Sequence, residues 1–404
     1  MYDIAIIGGG IIGLTTAYAV LDQYPNVRLI QIEKEATWAA HQTGRNSGVL
    51  HSGIYYQPDS LKARLCREGN ESMIRFCQEH GVAFEVCGKL IVATEDSELA
   101  ELEKLHQRGL ANGIPVQKMT AAEVTDREPF VEAKAGLHVS STGITDFQAV
   151  CDTLARLLQE KGAELRLETE VLGTYSRGHG RLIETTTGPL TAGVVVNCAG
   201  LQSDRVALAS GYDPKARIMP FRGEYYELVP SRRHLIKNLV YPVPNPLFPF
   251  LGVHFTRMID GSIHAGPNAV LALKREGYRK RDVSMKDTAE LVRFPGFRRL
   301  ARRHGTEGAK EVWRSLSKSA FTRSLQRLVP DVQAEDLVTS AAGVRAQAVN
   351  PDGSLVDDFL VITSHDMVHV CNAPSPAATS SLAIGRDIAT RIPALPTRRQ
   401  FAFS

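Results

Sequence analysis

No part of this chain is apolar for long enough to cross a bilayer, which takes about 20 consecutive residues. The apolar start, Tyr2 to Val20, has no basic residues before it and is broken by four glycines. It is expected to be a mature domain beginning at Met1, not a signal peptide. None of the six cysteines (Cys66, Cys77, Cys87, Cys151, Cys198 and Cys371) forms a C-x-x-C pair. That spacing argues against a zinc site or a dithiol redox centre, so no metal is expected. It suits reduced thiols in a cytoplasmic protein. A net charge of +3 and the lack of any nucleic-acid module argue against a nucleic-acid partner. Repeats and low-complexity segments are also missing.

What remains is ordinary globular composition, 43% hydrophobic and 23% charged, over 404 residues. That length exceeds one hydrophobic core, so two joined domains are expected. The charge is unevenly spread. Between Lys274 and Arg327 there are 16 Lys/Arg against 6 Asp/Glu, a local balance of +10.

The pattern at the start is β-turn-α-β. Tyr2–Ile7 reads as a strand, Gly8–Gly13 as a turn, Ile11 to Tyr24 as a helix and Val27–Ile32 as a second strand. Further helices are predicted at Leu61–His80, Glu98–Ala111 and Phe147–Lys161, with strands at Leu90–Thr94, Glu164–Thr174 and Val194–Asn197. From Ile218 to Ala265 the strand-like segments Glu224–Leu228, Leu239–Val243, Phe250–Phe255 and Ser262–His264 read as a mainly antiparallel sheet. A basic helical stretch, Asp287–Leu328, is broken at Pro295-Gly296 and His304-Gly305. Two strands, Phe359–Thr363 and Val368–Cys371, and a helix from Pro376 to Arg391 close the chain.

Gly8, Gly10 and Gly13 stand in G-x-G-x-x-G register. The first permits a tight turn, the second lets the backbone approach a pyrophosphate, and the third lets helix and sheet pack closely. The free N–H groups of Ile11 and Ile12 and the helix dipole would stabilise that pyrophosphate. Glu33 lies 20 residues past Gly13, where a carboxylate accepts hydrogen bonds from a ribose. One fingerprint, with no second glycine-rich βαβ for a nicotinamide nucleotide, favours a permanently bound FAD. Segment His41–Tyr56 is rich in donors and glycine and suits a path along an extended cofactor. Val194–Gly200, an apolar strand ending in small residues, Ala342–Arg345 and Asn372–Thr379 are the later candidates for close approach.

On the blocks His41–Tyr56, Pro220–Tyr226, Pro249–His254, Gly266–Val270, Lys274–Lys280 and Asn372–Thr379, the chain resembles the D-amino-acid oxidase-type FAD-dependent oxidoreductases. Within them it is similar to the branch that oxidises L-2-hydroxyglutarate. No Gly-Asp dipeptide, the ribityl-contacting element of the glutathione-reductase type, occurs anywhere. The resemblance implies an α/β FAD-binding Rossmann-type domain beside a mainly antiparallel β-sheet substrate domain with helices. The expected division is 1–80, 145–215 and 338–404 for FAD, and 81–144 and 216–337 for substrate, with a basic helical segment at 285–330.

The implied reaction takes L-2-hydroxyglutarate to 2-oxoglutarate by hydride transfer from C2 to flavin N5, with electrons passing to a quinone or to oxygen. The rival is an amine oxidase of the same fold, acting on glycine, sarcosine or a D-amino acid. A base of near-neutral pKa points to histidine; His51 is the first candidate and His254 the second. Arg345 is expected to grip the C1 carboxylate. Tyr226, Lys274, Tyr278 and Asn372 are further substrate candidates. Cofactor contacts are expected at Gly8, Gly10, Ile11, Ile12, Gly13, Glu33, Lys34, Thr43, Arg45, Asn46, Ser47, Gly48, Val171, Ala199, Gly200, Gly343, Arg345, Ser375, Pro376, Ala377 and Ala378. The basic stretch, with Phe294, Phe297, Trp313 and Phe321 among its charges, reads either as a solvated face or as peripheral attachment to anionic lipid at the inner face of the cell membrane.

Overall fold

Strand β1 (Tyr2–Ile7) is buried almost throughout because parallel neighbours flank it on both edges. Leu29–Ile32 (β2) pairs on one side and Leu190–Asn197 on the other. Between β1 and β2 runs helix α1 (Ile11–Gln23), which ends one residue before the expected Tyr24. The computed structural model describes residues 1–178, 180–244 and 252–393, apart from the side chains of 306, 307 and 310.

The first sheet has eight strands. Glu164–Arg166 edges it beyond β2, while Val171–Arg177 and Gly180–Thr185 lie at the opposite end. The single strand expected over Glu164–Thr174 is therefore two, on opposite edges. Glu168 takes φ 51°, and residues 168 and 169 donate backbone N–H groups to the carbonyls of Glu35 and Glu33. Those bonds end the first strand and redirect the chain. Met367–Asn372 adds in parallel beside Leu190–Asn197, with Leu360–Thr363 outside it.

The second eight-stranded sheet takes strands from distant parts of the chain. Its order is Leu337–Thr339, Tyr226–Leu228, Ile263–Gly266, His254–Arg257, Leu239–Pro242, Lys89–Ala93, Ala135–Val139 and Val116–Thr120. Among the described residues only the Leu239–Pro242 and Lys89–Ala93 pairing of this sheet is parallel. Leu90, Val92, Val240 and Phe255 face the helix Lys318–Gln326, through Phe321 and Leu325. Ile91, Leu239 and Tyr241 face the opposite way, towards Leu102 and Leu105 of the helix Leu99–Ala111. Of the expected strand Phe250–Phe255, residues 250 and 251 lie outside the described residues, as does 249 in the quoted block.

A small sheet sets Arg217–Gly223 between Val270–Leu271 and Gly343–Val349, and the last of these carries Arg345. The basic stretch forms helices Met285–Arg293, Pro295–Leu316 and Lys318–Gln326. The second is kinked at His304 (φ −123°, ψ 16°), so both expected breaks are present. A third occurs where Ser317 caps the last helix through Ala320 N–H. Phe321 is buried in the core at 1% exposure, so it does not face lipid or solvent.

The closing helix is Ser381–Thr390, not Pro376–Arg391. Residues 375–380 are successive turns, with Ala377 N–H bonded to Pro374 O and Ser380 N–H to Pro376 O. The expected helix N-terminus at Pro376 is thus displaced by a turn.

Candidate active site

Two cavities of about 300 and 120 Å³ share Gly10, Gln42, Thr43, Cys198 and Gly200, and so form one groove. The glycine turn stands at their junction. Gly8 has φ +108°, and a Cβ there would lie 2.3 Å from Cys198 O. A Cβ at Gly13 would lie 2.0 Å from Gly8 O, so this glycine serves helix-on-strand packing and does not line the groove. Gly10 differs: its nearest neighbour would be Thr43 Oγ1 at 3.4 Å, so its missing side chain leaves space at the groove wall. Gly10 offers no side chain to cap helix α1, and Thr43 Oγ1 accepts the Ile11 N–H at 3.1 Å; the positive helix end still meets the groove, where it favours an anion.

The smaller lobe is lined by Gly8, Glu33, Lys34, Val171, Ala199 and Gly200, all expected there. Glu33 accepts from Gly9 N–H at 2.5 Å and Glu35 N–H at 2.9 Å, and a carboxylate with one bond on each oxygen retains acceptor capacity. Lys34 pairs with Glu35 and, at 3.0 Å, with Glu276. The larger lobe is lined by Ile11, Ile12, Thr43, Arg45, Asn46, Ser47, Gly343, Ser375, Pro376, Ala377 and Ala378. A helix N-terminus at an open glycine, with a carboxylate in the adjoining lobe, fits a dinucleotide laid along the groove. These residues would hold FAD.

Some expected contacts serve structure instead. Gly48 is buried with φ +66° and does not line the groove; it turns the chain beside Thr145 O. Asn46 reaches the wall, but its amide donates to Thr43 O and accepts from Gly48 N–H. Gly343 is small because Arg45 O lies 2.2 Å from where its Cβ would stand. Asn372 lines the larger lobe, yet its amide donates to Val356 O and Asp358 O and accepts from Ala348 N–H.

The larger lobe brings His51, His254 and Arg345 together. The backbone of His51 is fastened on both sides: its N–H donates to Thr379 Oγ1 at 3.0 Å, and its carbonyl accepts from Asn70 Nδ2 at 3.1 Å. Burial, with the nearby charges of Lys89, His254 and Arg345, pushes its imidazole down to about 3. His254 is held down to about 4, mainly by burial. Its Nδ1 donates to Gly252 O at 2.9 Å, which leaves Nε2 as the acceptor in the neutral ring. Tyr241, on the neighbouring strand, stacks on it with ring centroids 3.9 Å apart. Arg345 is accessible from the cavity yet enclosed by protein, and burial lowers its pKa from 12.5. A guanidinium remains charged despite that.

Three substrate candidates stand elsewhere. Tyr226 packs on Phe321 with centroids 4.8 Å apart, and Tyr225, just before the strand Tyr226–Leu228, lines the lobe in its place. Lys274 is exposed at the surface and outside the lining. Tyr278 lies 2.6 Å from His41 Nδ1, beneath Arg45 at 4.1 Å, and belongs to a network with Glu35 and Glu276. Tyr241 and Asn268, not expected as site residues, line the larger lobe, as does Gln42 from the segment His41–Tyr56 expected along the cofactor. Gln42 accepts from Ala346 N–H at 2.9 Å and faces both lobes.

Comparison with known proteins agrees with this geometry. The family model described as DAO, FAD dependent oxidoreductase, matches residues 3–391. L-2-hydroxyglutarate dehydrogenase of Salmonella houtenae is 47% identical over 396 residues, covering 98% of this chain and 94% of that one. The human mitochondrial L-2-hydroxyglutarate dehydrogenase is 42% identical over 409 residues, covering 97% and 88%. Among solved structures, FAD-bound L-alpha-glycerophosphate oxidase from Mycoplasma pneumoniae superposes with a TM-score of 0.79 at 25% identity, covering 96% and 94%. Glycine oxidase from Geobacillus kaustophilus gives 0.72 at 18% identity, covering 100% and 98%, a likeness of fold. The chain belongs to the DAO family and is an FAD-dependent oxidoreductase.

Proposed function

We propose that the chain oxidises L-2-hydroxyglutarate to 2-oxoglutarate. One observation carries the reading: among the described residues, the lobe holding His51, His254 and Arg345 is lined by no Asp or Glu. Such a wall attracts anions and offers no counter-ion to an ammonium, which favours a hydroxy acid over the amine-oxidising alternative. The relatives at 46–47% identity, all named for L-2-hydroxyglutarate, support the choice of acid.

The reaction removes the hydroxyl proton and the hydrogen on C2 with its bonding pair. FAD, when bound in the groove, supplies the acceptor for that pair. Arg345 orients the C1 carboxylate through a bidentate grip. His254 takes the hydroxyl proton at Nε2, because its Nδ1–H is already committed to Gly252 O. The imidazolium so formed is stabilised by that carbonyl. His51, the first candidate from sequence, acts beside it by orienting the hydroxyl. The division of the chain into 1–80, 145–215 and 338–404 for cofactor and 81–144 and 216–337 for substrate belongs to the same proposal.

The electrons pass on to a quinone, reached from an anionic membrane surface on the cytoplasmic side. No helix among the described residues is long and apolar enough to cross a membrane. The support is the surface of the basic helices, where Met285, Trp313 and Leu316 are 81%, 63% and 71% exposed among arginines and lysines.

Anaerobic mixing of the holoenzyme with L- and D-2-hydroxyglutarate, malate, lactate, glycine and glycerol 3-phosphate tests the substrate. The flavin band should bleach fastest with L-2-hydroxyglutarate. Faster bleaching by glycine or glycerol 3-phosphate would overturn the reading.

A further inference from the structure

A five-carbon dicarboxylate calls for a second cation, and neither Lys274 nor Tyr278 lines the cavity. Lys89 is not a lining residue either, but it stands directly behind one, Tyr241, and has the surroundings such a group requires. It opens the strand Lys89–Ala93 at 1% exposure, whereas lysine is almost never fully buried unless paired. Its Nζ lies 4.4 Å from the centroid of the Tyr55 ring and 5.0 Å from that of Tyr241. The strand register explains the arrangement. Tyr241 pairs with Ile91, and Lys89 is two residues away on the same face. Tyr241 then stacks on His254 at the cavity wall.

Among the described residues no carboxylate offsets this buried cation. Burial holds the ammonium down to about 7, and Cys66 is the one group acting to raise it. The neighbouring Tyr55 hydroxyl is buried without a hydrogen-bond partner among the described residues. Buried charges and buried hydroxyls are normally both satisfied, so an anion from outside is what these two lack. The placement suits one. Both histidines feel the charges of Lys89 and Arg345, while Arg345 is not among the groups acting on Lys89. Both histidines thus lie within electrostatic reach of each cation.

We propose that Lys89, with the Tyr55 hydroxyl, is the specificity-determining group for a second carboxylate on the substrate. Arg345 holds the carboxylate beside the reacting carbon, and Lys89 attracts the distal one past Tyr241. The inference rests on the hydroxy-acid reading above.

The test compares the holoenzyme with Lys89→Met and Lys89→Arg, using L-2-hydroxyglutarate and L-2-hydroxypentanoate as flavin reductants. The preference for the dicarboxylate in kcat/KM should fall about 30-fold or more in Lys89→Met, mainly through KM, and return in part in Lys89→Arg. Equal losses on both acids would make Lys89 merely structural and overturn the proposal. Should Lys89→Met fail to retain flavin, the wild type still decides. Glutarate and pentanoate, which cannot react, are titrated against the flavin spectrum from pH 6 to 9. Binding of glutarate should weaken relative to pentanoate as pH rises and Lys89 loses its proton. No other group facing it titrates in that range: Cys66 is pushed up to about 12, Tyr55 and Tyr241 are raised well above 10, and His51 and His254 are already neutral. A pH-independent ratio would overturn the proposal. If neither hydroxy acid reduces the wild-type flavin, the reaction reading fails, while the glutarate comparison still judges Lys89.

Discussion

Thr379 Oγ1 accepts the backbone N–H of His51 at 3.0 Å and donates to Val49 O at 3.1 Å. One hydroxyl thus fastens the segment that carries a candidate catalytic histidine to a turn more than three hundred residues later. Thr379 is 0% exposed, so water cannot replace it.

Thr379→Val keeps the shape and removes both bonds. A buried donor and acceptor left unmet should cost about 2 kcal/mol, read as a lower urea midpoint. Flavin reduction should slow as well, because His51 loses its anchor. An unchanged midpoint would show that the segment is held by other contacts.

Gly10 and Gly13 should respond differently to alanine. The Gly10 Cβ would meet only Thr43 Oγ1 at 3.4 Å, whereas the Gly13 Cβ would strike Gly8 O at 2.0 Å. Gly10→Ala should fold as apoprotein with a normal melting temperature and bind FAD at least about tenfold more weakly, its methyl entering the groove. Gly13→Ala should lose about 2 kcal/mol of stability before any cofactor is added. Equal melting temperatures for the two variants would contradict the packing role of Gly13.

The cavity histidines make stability depend on pH with a definite sign. His51 and His254 fall from 6.5 to about 3 and about 4 on folding. Below pH 6.5 the unfolded chain therefore binds protons that the folded one refuses. Stability is full above that value and is lost progressively as pH falls towards 4. Urea midpoints should be lower at pH 5.5 than at pH 7.5. The double variant His51→Gln/His254→Gln should flatten the decline without abolishing it, since His369 is also held down to about 4. The same slope in both proteins would place the effect elsewhere.

Exposed Trp313 and Leu316 should govern attachment to lipid if the basic helices dock there. Wild type should sediment with anionic vesicles at low salt and be released at high salt. The pair Trp313→Ser and Leu316→Ser should cut binding about tenfold while leaving flavin reduction intact. Binding that persists in high salt would sink the electrostatic form of the idea.

How much was legible follows from the range of each signal. The β1-α1-β2 unit reads directly because strand, glycine turn, helix and Glu33 are consecutive. Two of the three interruptions of the basic helices are legible at Pro295 and His304, where backbone chemistry acts within a turn; the third, at Ser317, is not. The sequence offers Tyr226 where the cavity takes Tyr225, because nothing local to the Tyr-Tyr pair shows which way the cavity lies. Lys89 went unnoticed because a lysine at the start of Lys-Leu-Ile-Val-Ala looks like a surface strand end.

The sequence by itself determined the dinucleotide half-fold, the family and the preference for FAD, since these rest on local spacing and on blocks that survive as text. Only the tertiary structure decided which side chains meet. Strands from 89–93, 239–242 and 254–257 lie side by side because hydrogen-bonded register joins segments far apart in the chain. That register lines up Lys89, Tyr241 and His254. Burial in the assembled core then sets their charges, which no residue carries in its own letter.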